Sequence, residues 1–339
     1  MIGISLVAAG AFPVSQALAA TTATRQTPYA PKAGPRARVV LVNDLSGDVD
    51  GLFAAAHMLL SPSIELRAII GTATRARGET AEASVALAHE MLRLTNRDGK
   101  IPLYAGAEGK LTAPGTAIRS AGTQAIIAEA MRDDTSLPLY VAVGGGLTEV
   151  ASALMLDPAI AGRLTLIWIG GSLSPAAHEP EYNFAIDPLA AQYVFNETTV
   201  PIWQVPKEAY ATSLVSNTEI QAFIAPYGEI GPWLYEKLLA ANVKMAGFRM
   251  NTGETWTMGD NPLVLLTALT DWVPSQFGRQ PKFERTGSSV FIETIAPQLD
   301  AKGNPRARSD GRKIRVYQSI DVRMMLGDLY AKLRIQSDR

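Results

Sequence analysis

Short apolar runs alternate with helical patterns along most of the chain, and this alternation constrains the fold more than any other feature. Six runs rich in β-branched and aromatic residues, from VVLVN at residues 39–43 to VPIWQVP, are separated by segments with apolar residues at three- and four-residue spacing. Runs that are apolar throughout indicate strands buried on both faces. We therefore predict an α/β fold with an open, mostly parallel sheet and helices on both faces.

The end of the chain follows a different pattern. The segment SSVFIETIAPQLDAKGNPRARSDGRKIRVYQSID predicts a β-hairpin with KGNPRARSDG in its turn region, and VRMMLGDLYAKL predicts a closing helix. No change in composition divides the core. Residues 38–335 are therefore predicted to form a single domain.

Charge and cysteine content exclude several classes of protein. The 339 residues carry a formal net charge of -1 and no long Lys/Arg run, which argues against nucleic acid as a partner. The chain has no cysteine, so disulfides, thiolate metal sites and cysteine nucleophiles are excluded.

The N-terminal segment has the pattern of a secretory signal. It is apolar and then small and polar, with Ala17, Leu18 and Ala19 as an A-x-A cleavage site. We predict a signal peptide at 1–19 and a flexible arm at 20–37, and hence a secreted or periplasmic protein. Pro13 interrupts the apolar run, which is too short for a membrane span, so stable membrane insertion is not expected.

Three acids follow the first predicted strand. Asp44, Asp48 and Asp50 precede an Ala-rich helical segment, and one of them is expected to cap that helix. Three acids are more than the capping of one helix requires. Carboxylates this close repel one another unless a proton or a metal lies among them, and hard cations such as Ca²⁺ prefer such ligands. The stretch DVDG also resembles the Asp loop of haloacid-dehalogenase-like phosphotransferases, in poor register because Asp44 follows the strand directly.

Two later segments carry further polar residues. In EPEYNFAIDPLAAQYVF, Glu181 and Asn183 are predicted to lie in an extended stretch and to point to one side, where they could hold sugar hydroxyls. Asp187 is explained by capping of the next helix. In TWTMGDNPLVLLTAL, Asp260 precedes a predicted helix, and capping also explains it unless the fold brings it to Asp44.

Together these motifs resemble the inosine-uridine-preferring nucleoside hydrolase family, as a divergent member. In chain order, NDLSGDVDG resembles the family's acidic loop in its longer form, and GGGLTEVASALMLDP its G-P-L-T-N-x-A segment. IWIGGS resembles its M-G-G strand, EYNFAIDPLAA its E-F-N segment, and GDNPLVLL its H-D-x-L-A helix start. The resemblance implies an open α/β sheet with calcium at the carboxyl ends of the strands. It also implies that an Asp ligand deprotonates a water, which attacks C1′ of the ribose.

The resemblance implies a role for each site residue. Asp44 falls on the first metal Asp and general base, and Thr148 on the threonine whose backbone carbonyl binds calcium. The expected metal ligands are Asp44, Asp48, Asp50, Thr148 and Asp260. The expected substrate-binding residues are Asp50, Glu181, Asn183, Trp256 and His178.

Several positions depart from the family pattern. Gly51 replaces the second Asp of the acidic pair, a metal ligand in the family, and the leading Asp is replaced at Val42 or Asn43. We expect Asp48, supplied by the longer loop, to take the place of the ligand missing at Gly51. Gly259 replaces the histidine that serves as leaving-group acid in the inosine-uridine type.

The resemblance implies a Ca²⁺-dependent hydrolase that splits a purine-like or modified ribonucleoside into base and ribose. Its partner is then a small-molecule nucleoside, and association into a homo-oligomer is left open. The alternative is a catalytically impaired nucleoside- or sugar-binding protein of the same fold, which the missing carboxylate at Gly51 favours. A third hypothesis is phosphotransfer by an Asp of the DVDG stretch, and it fits the sequence least well.

Overall fold

The structure is a computed structural model that describes residues 28–175, 179–269 and 289–337. Within these residues the main sheet has eight strands, and two short ribbons have two strands each. The strands are β1 (Ala37–Asn43), β2 (Ile64–Gly71), β3 (Leu103–Ala105), β4 (Leu139–Gly144), β5 (Thr165–Ile169), β6 (Ile202–Val205), β7 (Leu214–Ser216), β8 (Thr255–Thr257), β9 (Val290–Ile295), β10 (Gln298–Leu299), β11 (Pro305–Arg306) and β12 (Lys313–Ser319).

The main sheet is open and mostly parallel, as predicted. Its strand order is β3-β2-β1-β4-β5-β6-β12-β9, and every neighbouring pair is parallel except β12 and β9. The chain adds β2 and β3 on one side of β1 and then β4 on the other, so the order reverses beside β1. Ligands of open α/β sheets bind at the carboxyl ends of the strands at such a reversal.

Helices cover both faces of the sheet. One hydrophobic core packs α1, α2, α9 and α11 against the sheet, and the other packs α3, α4 and α6 on the opposite face. The helices are α1 (Asp50–Leu59), α2 (Ala81–Leu94), α3 (Ala121–Ala130), α4 (Thr148–Leu156), α5 (Tyr182–Ile186), α6 (Pro188–Glu197), α7 (Lys207–Tyr210), α8 (Asn217–Phe223), α9 (Ile230–Gly247), α10 (Pro262–Val264) and α11 (Val322–Ser337), with a 3-10 turn at Pro158–Gly162 and a π turn at Leu265–Leu269.

Most sequence-based expectations about the elements are confirmed. The predicted C-terminal hairpin is the antiparallel β9–β12 pair, with the β10–β11 ribbon in its connection, and α11 follows as the closing helix. The helix predicted after Asp260 begins as α10 and continues as the π turn, and its remainder lies outside the described residues. The predicted signal peptide and residues 20–27 of the arm lie outside them too. No helix in the described part of the chain is long and apolar enough to cross a membrane.

Two local predictions are wrong. The stretch around Glu181 and Asn183 is not extended: α5 begins at Tyr182, and Glu181 caps it by accepting the N–H groups of Asn183 and Phe184. A carboxylate at this position gains more from the free N–H groups of a helix start than from a strand. In the acidic loop, none of the three acids caps α1. The cap position is Val49, which makes no side-chain capping bond.

Candidate active site

Three carboxylates from distant parts of the chain meet at the carboxyl ends of β1 and β4. Asp44 directly follows β1, Asp50 is the first residue of α1, and Asp260 precedes α10. The Asp260 N–H donates to Asp50 Oδ2 (3.1 Å), and Asn43 Nδ2 donates to Asp260 Oδ2 (2.8 Å). We call Asn43, Asp44, Asp50 and Asp260 the acidic cluster. The fold thus brings Asp260 to the first strand, which capping of α10 would not require.

Burial and mutual repulsion oppose ionisation of the cluster. Burial raises the pKa of Asp44 well above its ordinary value, and the negative charges of Asp260 and Asp48 raise it further. The pKa of Asp50 is raised by burial and by the same charges. Burial also raises the pKa of Asp260 to about 7, although the hydrogen bond from Asn43 lowers it. A cation among these groups would relieve the repulsion and favour their charged forms.

Two glycines make room for the cluster. A Cβ on Gly51 would lie 2.2 Å from Asn43 Oδ1, and a Cβ on Gly144 would lie 2.3 Å from Asp260 Oδ2. Both distances are shorter than carbon and oxygen atoms tolerate without a bond. The Asn43 amide therefore fills the space beside residue 51, and Gly144 allows Asp260 to approach the sheet.

Asp48 lies at the rim of the cluster. Its side chain is exposed, and its Oδ1 accepts the Val49 N–H at 2.6 Å. Asp48 lines a cavity of about 340 Å³ together with Trp256, which is buried on β8. The metal role expected of Asp48 and the substrate role expected of Trp256 stay predictions.

Glu181 is held beside the cluster by several donors. Its Oε2 accepts the N–H groups of Gly171 (2.7 Å) and Phe184 (2.9 Å), and its Oε1 accepts the Tyr210 hydroxyl (2.8 Å). The Glu181 charge raises the pKa of Asp260, so the two carboxylates are close enough to interact. The carboxylate is therefore fixed in orientation at the edge of the acidic cluster.

The neighbours of Glu181 face the same region. Asn183 Nδ2 donates to the Ile169 carbonyl at the end of β5 (2.8 Å). Tyr182 is half-exposed, and its pKa is raised by burial and by the charges of Glu79 and Asp44. An aromatic ring exposed above carboxylates suits stacking against a ligand's base.

The family profile of the inosine-uridine preferring nucleoside hydrolases matches residues 39–326, which include every member of the acidic cluster and the Glu181 segment. This chain belongs to that family. The match covers nearly all of the sheet and its helices, and the resemblance read from the motifs is thereby confirmed.

Solved nucleoside hydrolases share the fold of this family member. A plant nucleoside hydrolase is 15% identical, with a TM-score of 0.67, and the match covers 88% of this chain and 99% of that chain. A purine-preferring ribonucleoside hydrolase from Gardnerella vaginalis is 18% identical, with a TM-score of 0.67, over 89% of this chain and 99% of that one. The inosine-uridine preferring enzyme from Bacillus anthracis is 15% identical, with a TM-score of 0.62, over 88% and 99%. A search of curated proteins found no match.

The oxygen atoms of the acidic cluster are ligands of the kind that a hard cation prefers. Among the described residues no three Asp, Glu, His or Cys side chains form a group that could hold a metal ion, so the acids alone do not complete a site. Asn43 Oδ1 is buried and has no hydrogen-bond partner in the described structure. Ca²⁺ accepts carboxylate, amide and backbone oxygens together, and the cluster offers the first two kinds.

Thr148 and Glu149 line a second cavity, of about 320 Å³, together with Thr72 and Gly146. Thr148 begins α4, and its Oγ1 donates to Asp187 Oδ2 (2.8 Å). Burial raises the pKa of Glu149 to about 7. Its Oε1 accepts the Ala107 N–H (2.7 Å), so the carboxylate also holds the loop after β3 in place.

The space is tight at Gly259, the position where the resemblance implies a leaving-group histidine. A Cβ on Gly259 would lie 3.1 Å from Asp50 Oδ2 and 3.2 Å from Tyr210 Cδ2. The Tyr210 ring thus occupies space that a larger side chain at residue 259 would need. Tyr210 also holds Glu181, as described above, so it is part of the site's framework.

The structure brings Asp44, Asp50 and Asp260 together, with Glu181 and Asp48 at their edge. The other predicted residues that the structure describes lie apart from this cluster: Asn183 bonds to the end of β5, Trp256 lines a cavity with Asp48, and Thr148 lines the second cavity. His178 falls outside the described residues. Their roles in binding and catalysis stay predictions. Sequence reasoning missed Asn43, Tyr210 and Glu149 as site residues. The sequence carried a clue only for Asn43, which stands next to Asp44 at the end of a buried strand.

Proposed function

We propose that this protein is a metal-dependent N-ribosyl hydrolase that splits a purine-like or modified ribonucleoside into base and ribose by attack of water at C1′. The observation that carries the proposal is the meeting of Asp44, Asp50 and Asp260 at the reversal of the strand order. Family membership supports nucleoside hydrolysis in general, and the chemistry of the oxygen donors supports Ca²⁺. The A-x-A site at residues 17–19 supports a secreted or periplasmic location.

The carboxylates have separate tasks in this proposal. Asp44 accepts the proton of the attacking water, while Asp50, Glu181 and Asn183 hold the ribose hydroxyls. Asp44 and Asp260 would hold Ca²⁺ together with the Thr148 backbone carbonyl, and Asp48 and Asp50 are further candidates. A bound Ca²⁺ would lower the pKa of the water and orient the sugar. The negative charges around C1′ stabilise the positive charge that develops as the base leaves.

Replacement of the central acids tests this proposal. Asp44→Asn and Asp260→Asn keep the size of the side chain and remove a charge, and each should lower kcat/KM by about 100-fold or more. The measurement is release of p-nitrophenol from a p-nitrophenyl riboside, with and without a chelator. The matched control is Asp98→Asn, which changes an exposed carboxylate away from the cluster. Unchanged rates in both cluster variants would contradict the proposal.

A nucleoside-binding protein without turnover is the second candidate. The absence of a carboxylate at Gly51 favours it, because fewer charged ligands weaken cation binding. Tight binding of a nucleoside with no released base, in protein supplied with Ca²⁺, would identify this function. Chelator-sensitive hydrolysis would exclude it.

A further inference from the structure

We propose that Asn43 donates its amide oxygen to a cation held in the acidic cluster, and that it thereby replaces a carboxylate ligand at residue 51. The inference deepens the proposed function, because it concerns the ligands of the same site. It rests on the position of one buried side chain and on the space around it.

The Asn43 side chain is fully buried, and only half of its amide is satisfied. Nδ2 donates to Asp260 Oδ2 at 2.8 Å, while Oδ1 has no partner within the described part of the molecule. A buried amide oxygen without a hydrogen bond is unfavourable and is rare in folded proteins. The hydrogen bond to Asp260 also fixes the amide, because its nitrogen must face the carboxylate. A cation bound to Oδ1 would satisfy the remaining polar atom.

The space around Asn43 explains why residue 51 is glycine. Any Cβ at residue 51 would lie 2.2 Å from Asn43 Oδ1, and any Cβ at residue 144 would lie 2.5 Å from Asn43 Nδ2. The Asn43 amide and a side chain at residue 51 therefore exclude each other. The side chain of an Asp at residue 51 would overlap the Asn43 amide oxygen. In this chain the amide oxygen therefore replaces the carboxylate as an oxygen donor.

Replacing a carboxylate at residue 51 by the Asn43 amide lowers the negative charge of the site but keeps an oxygen donor. With Asn43 the cluster has three carboxylates and one neutral amide, whereas an Asp at residue 51 would add a fourth negative charge. Ca²⁺ accepts amide oxygens, and its affinity depends on the number of charged ligands. A neutral donor thus adds an oxygen to the site without adding to the repulsion among its carboxylates.

Cation binding by the full-length protein tests the assignment without reference to activity. Chelator-treated protein is titrated with Ca²⁺ by calorimetry and with Tb³⁺ by luminescence. The wild type should bind one ion, and Asn43→Ala should bind it about tenfold more weakly or worse, within the range seen for altered metal sites. Asn242→Ala is the matched control, because this asparagine of α9 bonds to Leu238 and Thr252 outside the cluster.

An exchange of the two residues sharpens the test. Gly51→Asp alone should destabilise the fold, since its Cβ meets the Asn43 oxygen. Asn43→Gly alone should lose affinity, and the double variant Asn43→Gly with Gly51→Asp should regain it, because the carboxylate enters the space that the amide leaves. The double variant decides the matter if Asn43→Ala does not fold.

The outcomes separate this inference from the proposed function. Equal ion affinity in the wild type and Asn43→Ala would overturn the assignment, as would a wild type that binds no ion or a double variant that recovers no affinity. Ion binding that depends on Asn43, without any hydrolysis, would end the proposed function and leave the assignment standing. Hydrolysis without a bound ion would overturn the assignment and the metal dependence of the proposed function, and would leave only ribonucleoside hydrolysis standing.

Discussion

At the scale of single residues, the proposed site has its three carboxylates but no histidine where the resemblance implies a leaving-group acid. The family's histidine is replaced by Gly259, and Tyr210 packs against that position. Asp44, Asp50 and Asp260 nevertheless come together in the fold. Chemistry at this site should therefore depend on how well the departing base leaves without protonation.

Under the proposed function, the absence of this histidine predicts a strong dependence on the leaving group. General acids contribute about 10²–10⁴ to the rate, so kcat/KM for a p-nitrophenyl riboside should exceed that for inosine by about 100-fold or more. The measurement is both rates at pH 7, in one preparation with Ca²⁺ present. Similar rates for the two substrates would reveal another proton donor, for which Glu149, with a pKa near 7, is the group to replace by Gln.

The sequence predicted individual acids better than their neighbours. Asp44, Asp50 and Asp260 were identified because each lies in a motif with a fixed order along the chain. Asn43 and Tyr210 were missed, because their roles arise from contacts with Asp260 and Glu181, which are distant in sequence. No local pattern encodes such contacts.

At the scale of secondary structure elements, α1 and α11 are joined by a buried polar contact. His57 Nε2 lies 2.7 Å from Asp328 Oδ2, and Lys332 pairs with the same carboxylate while it donates to Ser61 Oγ (2.8 Å). The His57 side chain is fully buried. Since α1 also carries Asp50, the contact helps to anchor the helix that begins in the acidic cluster.

The contact predicts how stability depends on pH. Burial lowers the pKa of His57, so near its ordinary value of about 6.5 the unfolded chain binds more protons than the folded one. The contribution of neutral His57 is present above that pH and is lost as the pH falls. Urea unfolding at pH 8 and pH 5 should show a smaller loss on acidification in His57→Gln than in the wild type. The exposed His89→Gln is the control, and equal losses in all three proteins would contradict the prediction.

The sequence predicted the positions of strands best where the strands are buried on both faces. The strands β1, β4 and β5 are apolar throughout and were located correctly to within a few residues. The β7–β8 ribbon and the helices α7, α8 and α9 were missed. The ribbon, α7 and α8 are short, and α9 buries residues only in its first half, so its periodic pattern is weak. The error at Glu181 has a specific cause: an acid followed by aromatic residues fits a strand and a helix cap equally well until the neighbouring backbone is known.

At the scale of the whole molecule, the proposed cation site predicts that the stability of the fold depends on cations. The buried carboxylates have raised pKa values, so ionising them near neutral pH costs stability in the folded state. A ligand that binds only the folded state stabilises it by about 2.7 kcal/mol at 100 times its dissociation constant. Removing the cation should therefore destabilise the whole sheet, which is built around β1.

Calorimetry with Ca²⁺ and with a chelator would measure this effect. Saturating Ca²⁺ should raise Tm by several degrees in the wild type and much less in Asp260→Asn, which removes one charged ligand. The Asp98→Asn control should behave as the wild type does. The same Tm with Ca²⁺ and with chelator in the wild type would contradict the prediction.

The link between Asp50 and Asp260 spans 210 positions of the chain. On the ribosome, β1 and the acidic loop emerge early, whereas Asp260 emerges only after most of the protein has been made. Under the proposed function, the nascent chain therefore stays inactive through most of its synthesis. A product that terminates before Asp260 would be inactive as well, even if its first strands had paired.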